Sequence, residues 1–110
     1  MSKLVGQVLS CAGGVGTIYP APQVLIIAPP PLTPMPHAYF QSLFGSAHVK
    51  TGQFGKLYGD LADFMKVHFI NVGQVISTEG VDGIHFTGGN NMALSKAIAG
   101  KVCAIFEVIL

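Results

Sequence analysis

The sequence predicts an α/β fold with parallel strands, and three observations carry this prediction. Residues 23–28 form an aliphatic run with the length of a buried strand, and residues 67–72 (Val-His-Phe-Ile-Asn-Val) are predicted as a second strand. Residues 53–66, between them, carry apolar side chains at helical spacing. A further helical pattern runs from residue 87 to residue 110. The order strand, helix, strand, helix predicts a parallel pair joined by a right-handed crossover.

The chain begins with a predicted amphipathic helix and a loop. The apolar residues within 1–11 form a helical stripe: Leu4, Val5, Val8 and Leu9. A helix of this length needs a surface to pack on. Residues 12–22 are rich in glycine and proline, and their Gly-Gly-x-Gly string is not preceded by a strand or followed by a helix. A helix C-cap and turn is therefore favoured over a phosphate-binding loop.

The first strand is followed by a proline-rich segment. Residues 23–28 form an uninterrupted apolar run, so we expect a strand buried on both faces. Prolines end it in residues 29–36. Ligands of parallel α/β sheets bind beyond the carboxyl ends of the strands, so this segment is either a pocket wall or a rigid turn. Residues 37–44 are predicted as a short helix and residues 45–51 as a loop.

The clearest helical pattern covers residues 53–66. Its stripe is predicted to pack into the core and consists of Phe54, Leu57, Tyr58, Leu61, Phe64 and Met65. The strand at residues 67–72 leads through a short apolar segment into a loop at residues 77–83. Thr87 has the position of an N-cap for the last helix, which Gly100 is expected to weaken.

Composition limits the classes of function. The 110 residues suffice for one domain, and 50% are hydrophobic while only 10% are charged, against about 25% charged in typical soluble domains. No apolar run reaches the roughly 18 residues of a membrane span, so burial against another chain is expected. The net charge is +1 and the six lysines are scattered, which gives no support for nucleic-acid binding.

Cysteine and histidine spacing predicts neither a metal nor a cofactor. Cys11 and Cys103 are interpreted as buried free thiols, which favours a reducing compartment and hence the cytoplasm. The short apolar stretch near the N-terminus is interrupted by Gln7, so a signal peptide is not predicted. The four histidines also lack the spacing of metal ligands.

An acid and an imidazole lie three residues apart in the loop before the last helix. They are Asp82 and His85, in the string Asp-Gly-Ile-His-Phe-Thr at residues 82–87. An aspartate there can accept the Nδ1 proton of the histidine and leave Nε2 free as a general base. The two residues are therefore the catalytic candidates. The alternative is a turn-forming aspartate beside an exposed histidine.

Four blocks, in this order, resemble a known family: residues 12–17 (Ala-Gly-Gly-Val-Gly-Thr), 28–32 (Ala-Pro-Pro-Pro-Leu), 34–37 (Pro-Met-Pro-His) and 82–87. Together they make the chain similar to the C-terminal half of the SGNH (GDSL-type) hydrolases, in their bacterial aryl-esterase and acyltransferase branch. The resemblance implies a partial flavodoxin-like three-layer αβα fold, with residues 1–110 as a single partial domain.

The resemblance also implies roles for individual residues. The family's Asp-x-x-His block supplies the acid and base of a Ser-His-Asp triad, and these roles fall to Asp82 and His85. Ile84, between them, matches a residue that lines the acyl pocket, and Phe40 and Phe44 match that pocket more loosely. A small ester is the implied substrate.

The family's nucleophile and oxyanion-hole blocks have no counterpart in this sequence. Gly59, Asp60 and Leu61 come nearest to the family's Gly-Asp-Ser block, but leucine stands where serine is needed. Among the serines, Ser77 lies closest in sequence to the candidate pair. Two strands alone also make too small a sheet and leave both edges open.

We therefore expect strands from another chain, either the missing N-terminal half of the family fold or a second copy. The predicted function is the Asp–His portion of a serine esterase or acyltransferase, without catalysis by the chain alone. The alternative is a non-catalytic, self-associating structural remnant.

Overall fold

The computed structural model describes residues 1–11, 22–78 and 82–106. In chain order the elements are α1 (Ser2–Ser10), β1 (Leu25–Ala28), α2 (Ala38–Phe44), α3 (Ala47–Thr51), α4 (Phe54–Met65), β2 (His68–Asn71), a 3₁₀ turn (Val72–Gln74) and α5 (Gly88–Ile105). Three expectations lie outside the described residues: the loop at 12–21, the part of the Asp–His loop at 79–81 and the helix end at 107–110.

The two strands pair in parallel, as predicted. Leu25 lies opposite His68, and the register continues to Ala28 opposite Asn71. Helix α4 packs on this sheet and supplies the crossover between the strands. Helix α5 follows β2 and contacts it as well. The described residues therefore form an α/β unit whose strand ends, after Ala28 and Asn71, lie side by side.

The core is a small cluster between α1, β1 and α4. Val5, Ile26 and Ala62 are each less than 5% exposed, and Phe69 of β2 packs against them. Small residues line the sheet-facing side of α4: a Cβ at Gly59 would lie 3.2 Å from the Phe69 ring. Helix α4 can therefore approach the sheet closely.

The predicted core stripe of α4 is wrong at two positions. Phe64 is 84% exposed and Leu57 is 55% exposed, whereas Tyr58, Leu61 and Met65 do pack against the core cluster. Small residues occupy the face of α4 nearest the sheet, so the apolar stripe lies partly beside the two strands rather than over them. The predicted burial of β1 on both faces is also wrong, since Ile27 is 42% exposed.

Two further expectations are corrected. Residues 45–51 were predicted as a loop, but Ala47–Thr51 form α3, and the Thr51 hydroxyl bonds back to the carbonyl of Ala47 at 2.9 Å. That hydroxyl also accepts the backbone N–H of Leu32 at 3.0 Å, which joins α3 to the proline-rich segment. Cys11 is exposed rather than buried because it caps the end of α1, and Cys103 is partly buried.

Helix α5 begins as the sequence predicts. The Thr87 hydroxyl accepts the N–H of Asn90 at 3.0 Å, and the helix continues through Gly100 without a break. None of its described side chains is buried, and Met92 and Phe106 are each more than 60% exposed. No helix in the described part of the chain is long and apolar enough to cross a membrane.

The accessible surface is large for a chain of this size. It measures 7599 Å², whereas a folded monomer of this mass exposes about 5,800 Å². Apolar side chains on α2, α4 and α5 contribute to this surface, among them Tyr39, Leu43, Phe64 and Met92. Within residues 1–11, 22–78 and 82–106, these apolar side chains are left exposed.

Candidate active site

The candidate acid and base contact each other in the loop before α5. His85 Nδ1 lies 2.5 Å from Asp82 Oδ2, so the arrangement expected from their spacing is present. The loop lies at the carboxyl ends of the strands, because Gly83 packs on the segment that follows β1. The sheet thus presents the pair at the edge where ligands of parallel α/β folds bind.

Backbone N–H groups hold the second carboxylate oxygen. Asp82 Oδ1 accepts the N–H groups of Ile84 and His85, each at 2.8 Å. The N–H of His85, followed by its side chain and the N–H of Ile84, lowers the pKa of Asp82 from 3.8 to about 2. Asp82 is therefore a carboxylate at neutral pH, held by three hydrogen bonds within its own loop.

The imidazole is open to a reactant while the carboxylate is shielded. The His85 side chain is 75% exposed and the Asp82 side chain is 23% exposed. A neutral His85 that donates Nδ1–H to Asp82 has Nε2 left to accept a proton. The geometry therefore suits general-base chemistry at Nε2, with the carboxylate stabilising the imidazolium that forms.

The depressed pKa of Asp82 makes the loop sensitive to acid. The folded-state pKa lies below the unfolded value, so the carboxylate stabilises the fold above about pH 4, and this contribution is lost as the pH falls through about 2. We expect urea midpoints of the wild type and Asp82→Ala to differ at pH 6 and to converge toward pH 2. Asp63→Ala, on the exposed side of α4, is the control. An equal Asp82→Ala gap at both pH values would contradict the carboxylate's role.

Gly83 is required by the backbone of the loop. Its φ is +81°, and a Cβ there would lie 2.5 Å from the carbonyl oxygen of Thr33 and 2.9 Å from that of Pro34. An L-residue would therefore meet both an unfavourable backbone conformation and a collision with main-chain atoms that cannot rotate away.

We expect Gly83→Ala to lower the free energy of unfolding by about 1–3 kcal/mol. Gly100→Ala is the matched control, because nothing lies within 4 Å of a Cβ in that mid-helix position. It should raise the free energy of unfolding by roughly 0.8–1 kcal/mol. Urea unfolding followed by circular dichroism measures both, and a neutral Gly83→Ala would show that the loop adjusts.

The proline-rich segment both packs against this loop and borders a cavity. Met35 is 7% exposed and lies beside Gly83. A cavity of about 120 Å³ is lined by Thr33, Pro34, Met35, Gln41, Gly45 and His48. Of the two interpretations left open by the sequence, the structure supports the wall of a cavity.

The predicted acyl-pocket residues stand apart from this cavity. Ile84 is partly buried between the acid and the base, and its N–H holds Asp82. The Phe40 ring lies 5.2 Å from the ring of His37, and Phe44 is 41% exposed. None of the three lines the cavity. Their role in substrate binding stays a prediction.

Two polar residues of the site escaped the sequence analysis. Thr33 and Thr78 join their hydroxyls at 2.9 Å and tie the Asp–His loop to the proline-rich segment. A threonine in a loop carries no pattern that marks it. Ser77, next to Thr78, accepts the Asn90 side-chain amide on its carbonyl at 2.8 Å. Among the described residues, no three His, Cys, Asp or Glu side chains are grouped to hold a metal ion.

Comparison with solved structures shows which proteins this chain is similar to. Est24, a carbohydrate acetylesterase from Sinorhizobium meliloti, shares 57% sequence identity with this chain at a TM-score of 0.84; the match covers 96% of this chain and 49% of that one. The M. smegmatis aryl esterase shares 57% identity at a TM-score of 0.83, covering 94% and 48%. This chain is a relative of these esterases.

The esterase relationship confirms the resemblance to the SGNH hydrolases and the partial αβα fold. The chain spans about half the length of the solved esterases that it matches. A carbohydrate acetylesterase family member from Sinorhizobium meliloti, at 24% identity and a TM-score of 0.77, supports the fold alone. No protein-family model matches the chain, and neither does any curated protein.

Proposed function

We propose that this chain supplies the acid and base of a Ser-His-Asp carboxylic ester hydrolase or acyltransferase, acting on a small ester. One observation carries the proposal: Asp82 is held as a carboxylate against Nδ1 of an exposed His85. The sequence identity with esterases supports the reaction class. The free cysteines suit a reducing compartment, so the proposal includes a cytoplasmic location.

The proposed reaction proceeds in two acyl transfers. A serine Oγ attacks the ester carbonyl while His85 Nε2 takes its proton, and Asp82 stabilises the imidazolium. The tetrahedral intermediate collapses, His85 returns the proton to the departing alcohol, and an acyl-serine remains. His85 then takes a proton from water, or from an acceptor alcohol, whose oxygen attacks the acyl carbon. The bond from the acyl carbon to the serine Oγ breaks, His85 returns the proton to that Oγ, and the acid or a new ester is released. In each acyl transfer, the proton that His85 takes from the attacking oxygen is the one that it gives to the departing oxygen.

The proposal takes the serine from a segment that packs on the open faces of this chain. The solved esterases have about twice this length, so their other half is the candidate source of the serine. A second copy of this chain could add strands and cover the open faces, but it carries no Gly-Asp-Ser block. Exposed apolar residues support such packing: Ile27 on β1, Met92 on α5 and Phe106 just after α5.

Complementation tests this function. The chain is co-expressed with the half of Est24 that it does not match, and the hydrolysis of p-nitrophenyl acetate is followed. We expect turnover by the purified complex and none by either part. A complex that elutes as one species, contains both parts and lacks turnover would overturn the proposal.

A non-catalytic, self-associating module is the second candidate, and the apolar faces of α2 and α5 favour it. It predicts a stable homo-oligomer on gel filtration with no gain of esterase activity on complementation. A fluorophosphonate probe tests a third arrangement, in which Ser77 serves as the nucleophile. Labelling of the chain alone that Ser77→Ala abolishes would favour this arrangement and remove the need for a serine from another segment.

A further inference from the structure

Thr78 is a buried polar residue beside the candidate pair. It is 2% exposed, and it is the one buried polar side chain within residues 1–11, 22–78 and 82–106. Burying a hydroxyl is unfavourable unless it is hydrogen-bonded, so the hydrogen-bond partners of Thr78 should explain why a threonine is buried there.

The Thr78 hydroxyl bridges the Asp–His loop and the proline-rich segment. It donates to the carbonyl oxygen of Gly83 at 2.8 Å and lies 3.3 Å from that of Pro31. A hydroxyl has one proton, so the shorter bond to Gly83 uses it and the Thr33 hydroxyl donates to Thr78 at 2.9 Å. The Thr33 N–H also reaches the Gly83 carbonyl at 3.1 Å. Two donors thus hold one carbonyl oxygen.

That carbonyl belongs to the peptide unit that orients the carboxylate. The Gly83 C=O and the Ile84 N–H share one planar peptide group. Its oxygen is held by Thr78 and Thr33, and its N–H donates to Asp82 Oδ1 at 2.8 Å. Rotation of this plane would withdraw the Ile84 N–H from Asp82 and leave the carboxylate held by His85 alone, so its orientation would be less closely fixed. The threonine hydroxyl therefore acts on the pair through a single rigid group.

We propose that Thr78 is a positioning residue for the Asp82–His85 pair: its hydroxyl fixes the Gly83–Ile84 peptide plane, which in turn fixes the carboxylate that holds the imidazole. The contacts belong to the chain itself. The catalytic consequence rests on the proposed esterase function, whereas the effect on the pair's geometry does not.

The first test uses the full chain alone and NMR. Thr78→Val removes the hydroxyl and keeps the shape, and Thr78→Ser keeps the hydroxyl. We expect Thr78→Val to move the pKa of Asp82 from about 2 toward 3.8 and to broaden the His85 Nδ1 proton signal, while Thr78→Ser preserves both. A Thr78→Val chain that folds and leaves both signals at their wild-type values would overturn the proposal.

Thr33→Val keeps the test decisive if Thr78→Val does not fold. It removes one donor to Thr78 but leaves the Thr78 bond to Gly83, so a smaller change of both signals in the same direction is expected. The opposite result would overturn the proposal. If both signals keep their wild-type values in Thr33→Val but change in Thr78→Ser, which keeps the hydroxyl and loses only a methyl group, then Thr78 acts through packing alone.

The complemented enzyme gives the second readout. There Thr78→Val is expected to lower kcat roughly 10- to 100-fold with KM little changed, and Thr78→Ser to restore kcat. A rise in KM alone would contradict a positioning role. If the NMR signals move but no complex has esterase activity, the positioning role stands and the proposed function fails.

Discussion

Replacing His85 by glutamine should lower kcat of the complemented esterase by a factor on the order of 10⁴ or more. Glutamine can still bond to Asp82, but its amide has no basic nitrogen to take the serine proton. Because His85 is 75% exposed, the substitution should leave the urea midpoint of the chain unchanged. Loss of activity would then report chemistry rather than folding. The measurement is p-nitrophenyl acetate hydrolysis at saturating substrate.

His68→Gln is the matched control for that loss. His68 lies at the amino end of β2, at the opposite edge of the sheet from the Asp–His loop, and its Nε2 contacts the Gln23 side chain at 3.2 Å. A glutamine there can form a similar bond, so activity should stay near that of the wild type. If His85→Gln retained full activity, the base assigned to this chain would be wrong, whatever the activity of the complex.

Asp82→Asn should lower kcat about 10⁴-fold while leaving the loop folded. An asparagine Oδ1 can still accept the N–H groups of Ile84 and His85, so the turn is preserved. Its Nδ2, however, is a donor facing His85 Nδ1, and the imidazole must then place its proton on Nε2. That tautomer has no free lone pair on Nε2 and cannot act as a base toward a serine. The loop conformation is therefore kept while proton transfer is lost.

Asp63→Asn serves as the control, since Asp63 is exposed on α4. The diagnostic result is a large fall in kcat for Asp82→Asn with an NMR spectrum that keeps the Ile84 and His85 amide signals in place. A variant that loses those amide signals would show instead that the negative charge is needed to form the loop. In that case the loss of activity would not identify the tautomer as its cause.

The sequence allowed prediction of features that depend on neighbours along the chain. The parallel strand pair follows from two predicted strands on either side of a helix. The Thr87 cap and the Asp82–His85 contact each join residues three positions apart. The substrate-binding roles of Ile84, Phe40 and Phe44 stay predictions, because none of the three lines the cavity beside the proline-rich segment.

Features set by packing were missed. The close approach of α4 to the sheet depends on Gly55, Gly59 and Ala62, which carry little hydrophobic signal, so Phe64 looked like core but is exposed. Helix α3 is too short for a periodic pattern. The role of Thr78 could not be predicted from the sequence, because it depends on the fold. In the structure its hydroxyl bonds to the carbonyl of Gly83, and the same carbonyl accepts the N–H of Thr33.

The closeness of Asp82 and His85 along the chain has a consequence for assembly. A single four-residue turn creates the bond between carboxylate and imidazole, so this bond can form before any distant part of a larger protein arrives. Only the approach of a nucleophile depends on docking. A protein divided between two polypeptides could therefore keep its proton-transfer unit intact in one of them and gain activity when the other binds.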